Sequence, residues 1–135
     1  MTLSRARLFR RVAISLPDVE APEPNWPKYF LLGHAIELAL KAVPEHFRQS
    51  PTYAVPPGAT VPANHDLLGQ YEFAKLHGLQ ADPIINRDLP SLSELHKTHF
   101  ARYPQTLRPV LLPSAYDDLT DKVIEQVEKV LGVRK

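Results

Sequence analysis

The sequence predicts an all-α fold, a bundle of four or five helices in a single domain spanning 1–135. Three observations carry this reading. The length, 135 residues, is that of one domain. The 14 prolines gather into connectors and leave proline-free segments long enough for helices. Apolar residues in those segments recur at helical spacing, and none sustains the period-2 alternation of a half-buried strand. Residues 52–55 and 108–112 leave room only for short β pieces.

The elements follow in order. The first 17 residues hold no acid and carry Arg5, Arg7, Arg10 and Arg11. A transit peptide has a similar composition. Ala6, Phe9, Ala13 and Leu16 nevertheless share one helical face, which favours a basic first helix. Pro17, Pro22, Pro24 and Pro27 make the first connector, with Trp26 expected to pack beneath the bundle. Segment 28–43 is the second helix. Pro44, Pro51, Pro56, Pro57 and Pro62 crowd a long connector after it. Segment 63–82 offers Asn64 as a cap and Gly78 as a stop, with Leu67, Leu68, Tyr71, Ala74 and Lys75 on one side. Pro83 and Pro90 flank a third connector. Segment 91–103 opens on a capping box, Ser91 with Glu94, and carries Leu92, Leu95, His96, His99 and Tyr103 on one stripe. Pro104, Pro109 and Pro113 make the fourth connector. In segment 114–135, Ser114 can cap and Asp117 and Asp118 suit the positive helix end. Tyr116, Leu119, Val123, Val127 and Val130 form its stripe, Asp118/Lys122 and Glu125/Lys129 are i,i+4 pairs, and Gly132 suits the stop.

Composition excludes several chemistries. There is no cysteine, so disulfides, thiolate zinc sites, iron–sulfur clusters and a cysteine nucleophile are ruled out. Five glycines form neither GxGxxG nor GxxxxGK[ST], and no Gly-x-Ser-x-Gly elbow occurs. A net charge of +1 does not describe a globally basic nucleic-acid binder. No apolar run reaches the roughly 18 residues that span a bilayer. The expected location is the cytoplasm, with no membrane association.

The most informative segment is Lys28–Val43, KYFLLGHAIELALKAV. It is apolar in almost every direction, as a central helix is. Its interior ionisable residues, His34, Glu37 and Lys41, fall within about 60° of the helical wheel. Such a stripe either lines a groove or is buried and paired. Paired, Glu37 would bond Lys41 at i,i+4 and His34 at i,i−3. As a site, the three side chains would bind a ligand.

Other residues can join this stripe. His65 and Asp66 open the following helix; the helix dipole explains Asp66 but not His65, which is either a solvent-exposed histidine, the commoner case, or meets the His34–Glu37 stripe across a helix interface. Arg102 and Tyr103 stand just before Pro104. Arg102 there either neutralises a helix end or pairs with Glu37 or a phosphate. His96 and His99, at i,i+3 on an apolar stripe, read as core histidines bonded to carbonyls, with a metal site as the sharper and less common alternative. His34-x-x-Glu37 has metal-ligand spacing, but the paired Glu-x-x-His of di-iron bundles is inverted and lacks its second copy. Neither a metal nor a cofactor is expected.

The run Phe30–Ala42, FLLGHAIELALKA, resembles the hallmark helix of a bacterial branch of HEPN-like domains. Asn64-His65-Asp66-Leu67-Leu68 resembles that branch's next element, and Ala101-Arg102-Tyr103-Pro104 a third. The three arrive in the branch's order. The resemblance implies a helical bundle, often a homodimer, with roles in RNA cleavage, toxin–antitoxin pairs or phage defence. In such pairs the partner is often a nucleotidyltransferase. Catalytic HEPN ribonucleases carry Arg, then four to six residues, then His; no arginine here has a histidine at that spacing. The residues matching the branch pattern are His34, Glu37, Lys41, His65, Asp66, Arg102 and Tyr103.

The expected function is therefore a non-catalytic HEPN-like module that binds RNA or nucleotide. One alternative is a structural, partner-binding homodimer with a buried polar network. The other is a metal-independent ribonuclease using His34 and Arg102.

Overall fold

The computed structural model describes residues 2–20, 23–100 and 113–132. The chain runs α1 (Thr2–Ile14), β1 (Val19–Glu20), β2 (Glu23–Pro24), α2 (Trp26–Arg48), α3 (Leu67–Leu76), α4 (Pro83–Phe100), a 3₁₀ turn (Pro113–Tyr116) and α5 (Asp117–Leu131). It is an all-α bundle, as the sequence predicts. The short antiparallel ribbon β1–β2, with Val19 opposite Pro24, lies in the first connector. Residues 52–55 form no strand, and 108–112 lie outside the described residues.

Helix α2 is central and touches each of the other four. Its all-round apolar surface explains this: Leu32, Ile36, Leu40 and Val43 are all fully buried. Around it pack Ala6 and Ala13 of α1, Leu67 and Tyr71 of α3, Ile85, Leu89 and Leu92 of α4, and Leu119, Val123 and Val127 of α5. The predicted α5 stripe therefore faces the core. Of the predicted α1 face, Ala6 and Ala13 are buried there, while Phe9 is half-buried and Leu16 lies beyond the helix end. Leu68 does not; it turns outward from α3.

Two prolines do not act as joints. Pro44 lies inside α2 and Pro90 inside α4. An interior proline removes one backbone bond and costs about 3 kcal/mol. Packing on both sides offsets that cost. Beyond Pro44, Phe47 packs against the core and meets the His77 ring at 5.9 Å. Across Pro90, the buried residues Ile85, Leu89, Leu92 and His96 keep one continuous stripe.

Helix α4 consequently begins eight residues before the Ser91 capping box. Asp82 caps it, accepting from the backbone N–H of Ile84 at 2.8 Å, with Pro83 at the first helical position. Two further predicted caps also fall elsewhere. Asp66, not Asn64, caps α3 by accepting from the Gly69 N–H at 3.1 Å. Ser114 does not cap α5; its N–H and hydroxyl both donate to Asp18. Gly132 ends α5 in the left-handed conformation, as expected. Of the predicted α5 pairs, Glu125/Lys129 forms at 3.4 Å, and Glu125 also takes Lys122 in place of the Asp118/Lys122 pair.

The first connector is held by a polar cluster that the sequence did not reveal. Asn25 caps α2 and donates to the Pro17 carbonyl. The buried Lys28 ammonium donates to the Leu16 carbonyl at 2.9 Å and pairs with Asp18 at 3.2 Å. Asp18 thus joins the start of α2 to the turn before α5. The Ser114 hydroxyl, with help from Lys28, holds the Asp18 carboxyl below its usual range.

Candidate functional site

The polar stripe of α2 is buried at its centre. Glu37 is 3% exposed, deep among apolar side chains. A buried carboxylate needs partners on both oxygens. Oε1 accepts from His65 Nδ1 at 2.9 Å and from His96 Nε2 at 3.0 Å. Oε2 accepts from Lys41 Nζ at 3.0 Å. Burial alone would raise the Glu37 carboxyl. The hydrogen bonds from His96, Lys41 and His65 outweigh burial and hold it well below the usual carboxylate range. Glu37 is a committed anion.

Each donor comes from a different part of the chain. Lys41 lies one turn along α2, and its head reaches the rim beside Asn64 Oδ1 at 3.5 Å. His65 stands in the turn before α3, with positive φ, 68°. Left-handed backbone is costly for a residue with a Cβ, and it persists only where the surroundings enforce it. Here the Asp66 cap on one side and the Glu37 bond on the other fix the turn. His96 comes from α4, and its ring is completely buried. The ring fits only because α2 carries Gly33: a Cβ there would lie 2.5 Å from His96 Nδ1. Phe30 stacks on the same ring at 6.0 Å.

The structure brings together three of the predicted site residues, Glu37, Lys41 and His65. It adds His96, read from the sequence as a core histidine bonded to a carbonyl. His34 shares the stripe but makes no bond to Glu37. Its ring sits edge-on to Phe9 at 4.7 Å and stacked on Phe30 at 5.6 Å. Its Nδ1 has no hydrogen-bond partner among the described residues. Burial, chiefly, pushes the His34 imidazole below its ordinary value; Glu37 opposes this, and the nearby His96, Lys41 and His65 add to it. Asp66 is used locally as the α3 cap, and Gly69 leaves room for its carboxylate. Arg102 and Tyr103, with the side chain of His99, lie outside the described residues.

Two surface grooves lie near basic residues. The first, about 160 Å³, has Lys41, Arg48, Asn64 and Gln70 on its walls. A larger one, about 870 Å³, runs between α1 and α5, away from Glu37. Two of its three arginines are paired, Arg7 with Glu128 and Arg10 with Asp121; the third is the exposed Arg11.

Compared with family models, curated proteins and solved structures, the chain matches none. The HEPN-like resemblance rests on the residues that carry it.

Proposed function

We propose that the chain is a non-catalytic, HEPN-like module that binds RNA or nucleotide. Burial of Glu37 with both oxygens occupied carries the non-catalytic part. A carboxylate held far below its usual range is a poor general base at neutral pH. It serves instead to fix three segments around α2. The side chains of Lys41 and His65 at the rim are 29% and 32% exposed, so they reach solvent where a phosphate can approach. Lys41 has three N–H donors and uses part of that capacity on Glu37 and Asn64.

The test is titration of labelled RNA and of nucleotides at low salt. Saturable binding is expected, weakening as salt rises because phosphate contacts release counterions. Lys41→Ala should weaken it further. RNA cleavage in EDTA, abolished by His34→Ala or Arg102→Ala, would instead establish the ribonuclease reading.

A second reading is favoured by the outer face of α1. Leu8 and Val12 are 52% and 43% exposed, one turn apart, beside the exposed Arg5 and Arg11. That face suits a protein partner, either a second copy or a nucleotidyltransferase-type protein. Sedimentation of the chain alone and with the product of a neighbouring gene tests it.

A further inference from the structure

We infer that Glu37, His65 and His96 form a three-ligand site for a divalent transition metal, with Zn²⁺ the best match. The inference stands apart from the RNA-binding reading.

Two imidazoles and one carboxylate are a common three-ligand set for zinc, which leaves a fourth position for another donor. The nitrogen donors argue against Mg²⁺ and Ca²⁺, which take oxygen ligands. One oxygen or nitrogen from each residue converges, and these atoms lie within 4.8 Å of one another. Two sides of the triangle, from Oε1 to His65 Nδ1 and to His96 Nε2, measure 2.9 and 3.0 Å. Donors about 2.05 Å from a tetrahedral ion lie about 3.3 Å apart. Those two sides therefore need to open by only a few tenths of an ångström.

The supports are rigid. His96 is pressed against α2 at Gly33, and His65 is set by a constrained left-handed turn. The three ligands come from α2, the α3 entry and α4, so binding would join three segments at one point. Sequence spacing offers no reason to expect this set, because its ligands lie on three separate segments, and His34 of the spaced His34-x-x-Glu37 pair takes no part.

To bind the ion, each ring must present a bare lone pair. The proton now facing Oε1 moves to the ring's other nitrogen or leaves to solvent, and the metal takes its place. Lys41 remains on Oε2. Its positive charge beside the ion opposes binding. This gives the test its sign.

The experiment is calorimetric titration of the untagged, chelator-stripped full chain with ZnCl₂, paired with the visible spectrum of the Co²⁺-loaded chain. One ion per chain is expected, with the intense bands of a low-coordinate nitrogen–oxygen site. His65→Ala, at the rim, should weaken binding at least about tenfold, in keeping with loss of a direct ligand. Lys41→Met should tighten it several-fold. Circular dichroism establishes that each variant is folded. Should His96→Ala unfold, His65→Ala and Lys41→Met still decide the matter. The proposal is overturned by no saturable uptake in wild type. It is equally overturned by uptake that folded His65→Ala leaves unchanged, which would place the ion elsewhere, for instance on His46 or His77.

Discussion

A β-carbon placed on Gly33 would lie 2.5 Å from Nδ1 of His96, a residue on another helix with a fully buried ring. The missing side chain on α2 is therefore part of how Glu37 acquires its α4 partner. Gly33→Ala sets two effects against each other. Alanine improves the helix by about 1 kcal/mol. Overpacking a filled interior costs about 1–3 kcal/mol. The contact is with a ring wedged against α2, which cannot swing aside as the end of an exposed side chain could, so overpacking should win. Urea denaturation should show a net loss of about 1 kcal/mol, and the His96 ring NMR signals should move. A stabilised Gly33→Ala would mean the ring yields easily.

Removing the anion should be worse. Glu37→Gln keeps the shape but leaves three donors around one neutral acceptor. Breaking a buried ion pair from one side costs about 3–5 kcal/mol. The lower end is expected, because the amide oxygen still accepts one bond. The pH dependence follows from the lowered Glu37 carboxyl. The unfolded carboxyl titrates near about 4.3. Below that pH the unfolded chain takes up a proton that the folded chain refuses, so stability falls as pH falls. Wild type should lose stability steadily below about pH 4.3, and Glu37→Gln should lack that part of the slope. Equal slopes in acid denaturation would show that Glu37 is not held ionised.

The fold was legible where local periodicity agrees with final packing. The Tyr116–Val130 stripe, the all-round apolar α2 and the Gly132 stop all follow from spacing and residue type. The prolines at 44 and 90 misled because their local cost is visible in sequence, while the packing that offsets it is long-range. Asn64 and Ser91 are sound caps by type, yet Asp66 and Asp82 lie where the chain bends. The site was half legible. Glu37 and Lys41 share a helix face, and His65 stood out because the dipole gave no reason for it. His96 was hidden, because its meeting with Glu37 spans 59 residues of sequence. Its one local sign was a histidine on an apolar stripe, and the glycine that admits it belongs to another helix.

The backbone at His65 offers a cleaner test than its hydrogen bond. His65→Ala and His65→Gly both delete the imidazole, so their difference isolates the turn. At φ 68° a Cβ is disfavoured by about 1–2 kcal/mol. Glycine's greater freedom in the unfolded chain takes back about 0.4–1 kcal/mol. His65→Gly should therefore be the more stable of the two by about 0.5–1 kcal/mol, inverting the usual helix order. Thermal melts of both variants, with His65→Asn as a residue tolerant of this conformation, measure it. If alanine proves the better replacement, the turn relaxes without its histidine.

His34 sets a second pH window, with the same sign and a different cause. Burial lowers its imidazole, so the folded chain resists a proton that the unfolded chain accepts below about 6.5. Stability should rise with pH from that lowered value up to about 6.5 and gain nothing further from His34 above it. The ring lies between Phe9 and Phe30 and bonds neither Glu37 nor Lys41, so phenylalanine can occupy its place. His34→Phe should match wild type at pH 8 and exceed it at pH 5.5, because the aromatic packing is retained and the titrating group is gone. Chemical denaturation at the two pH values separates this from a charged role. Were His34 protonated to serve Glu37, His34→Phe would lose stability at the lower pH instead of gaining it.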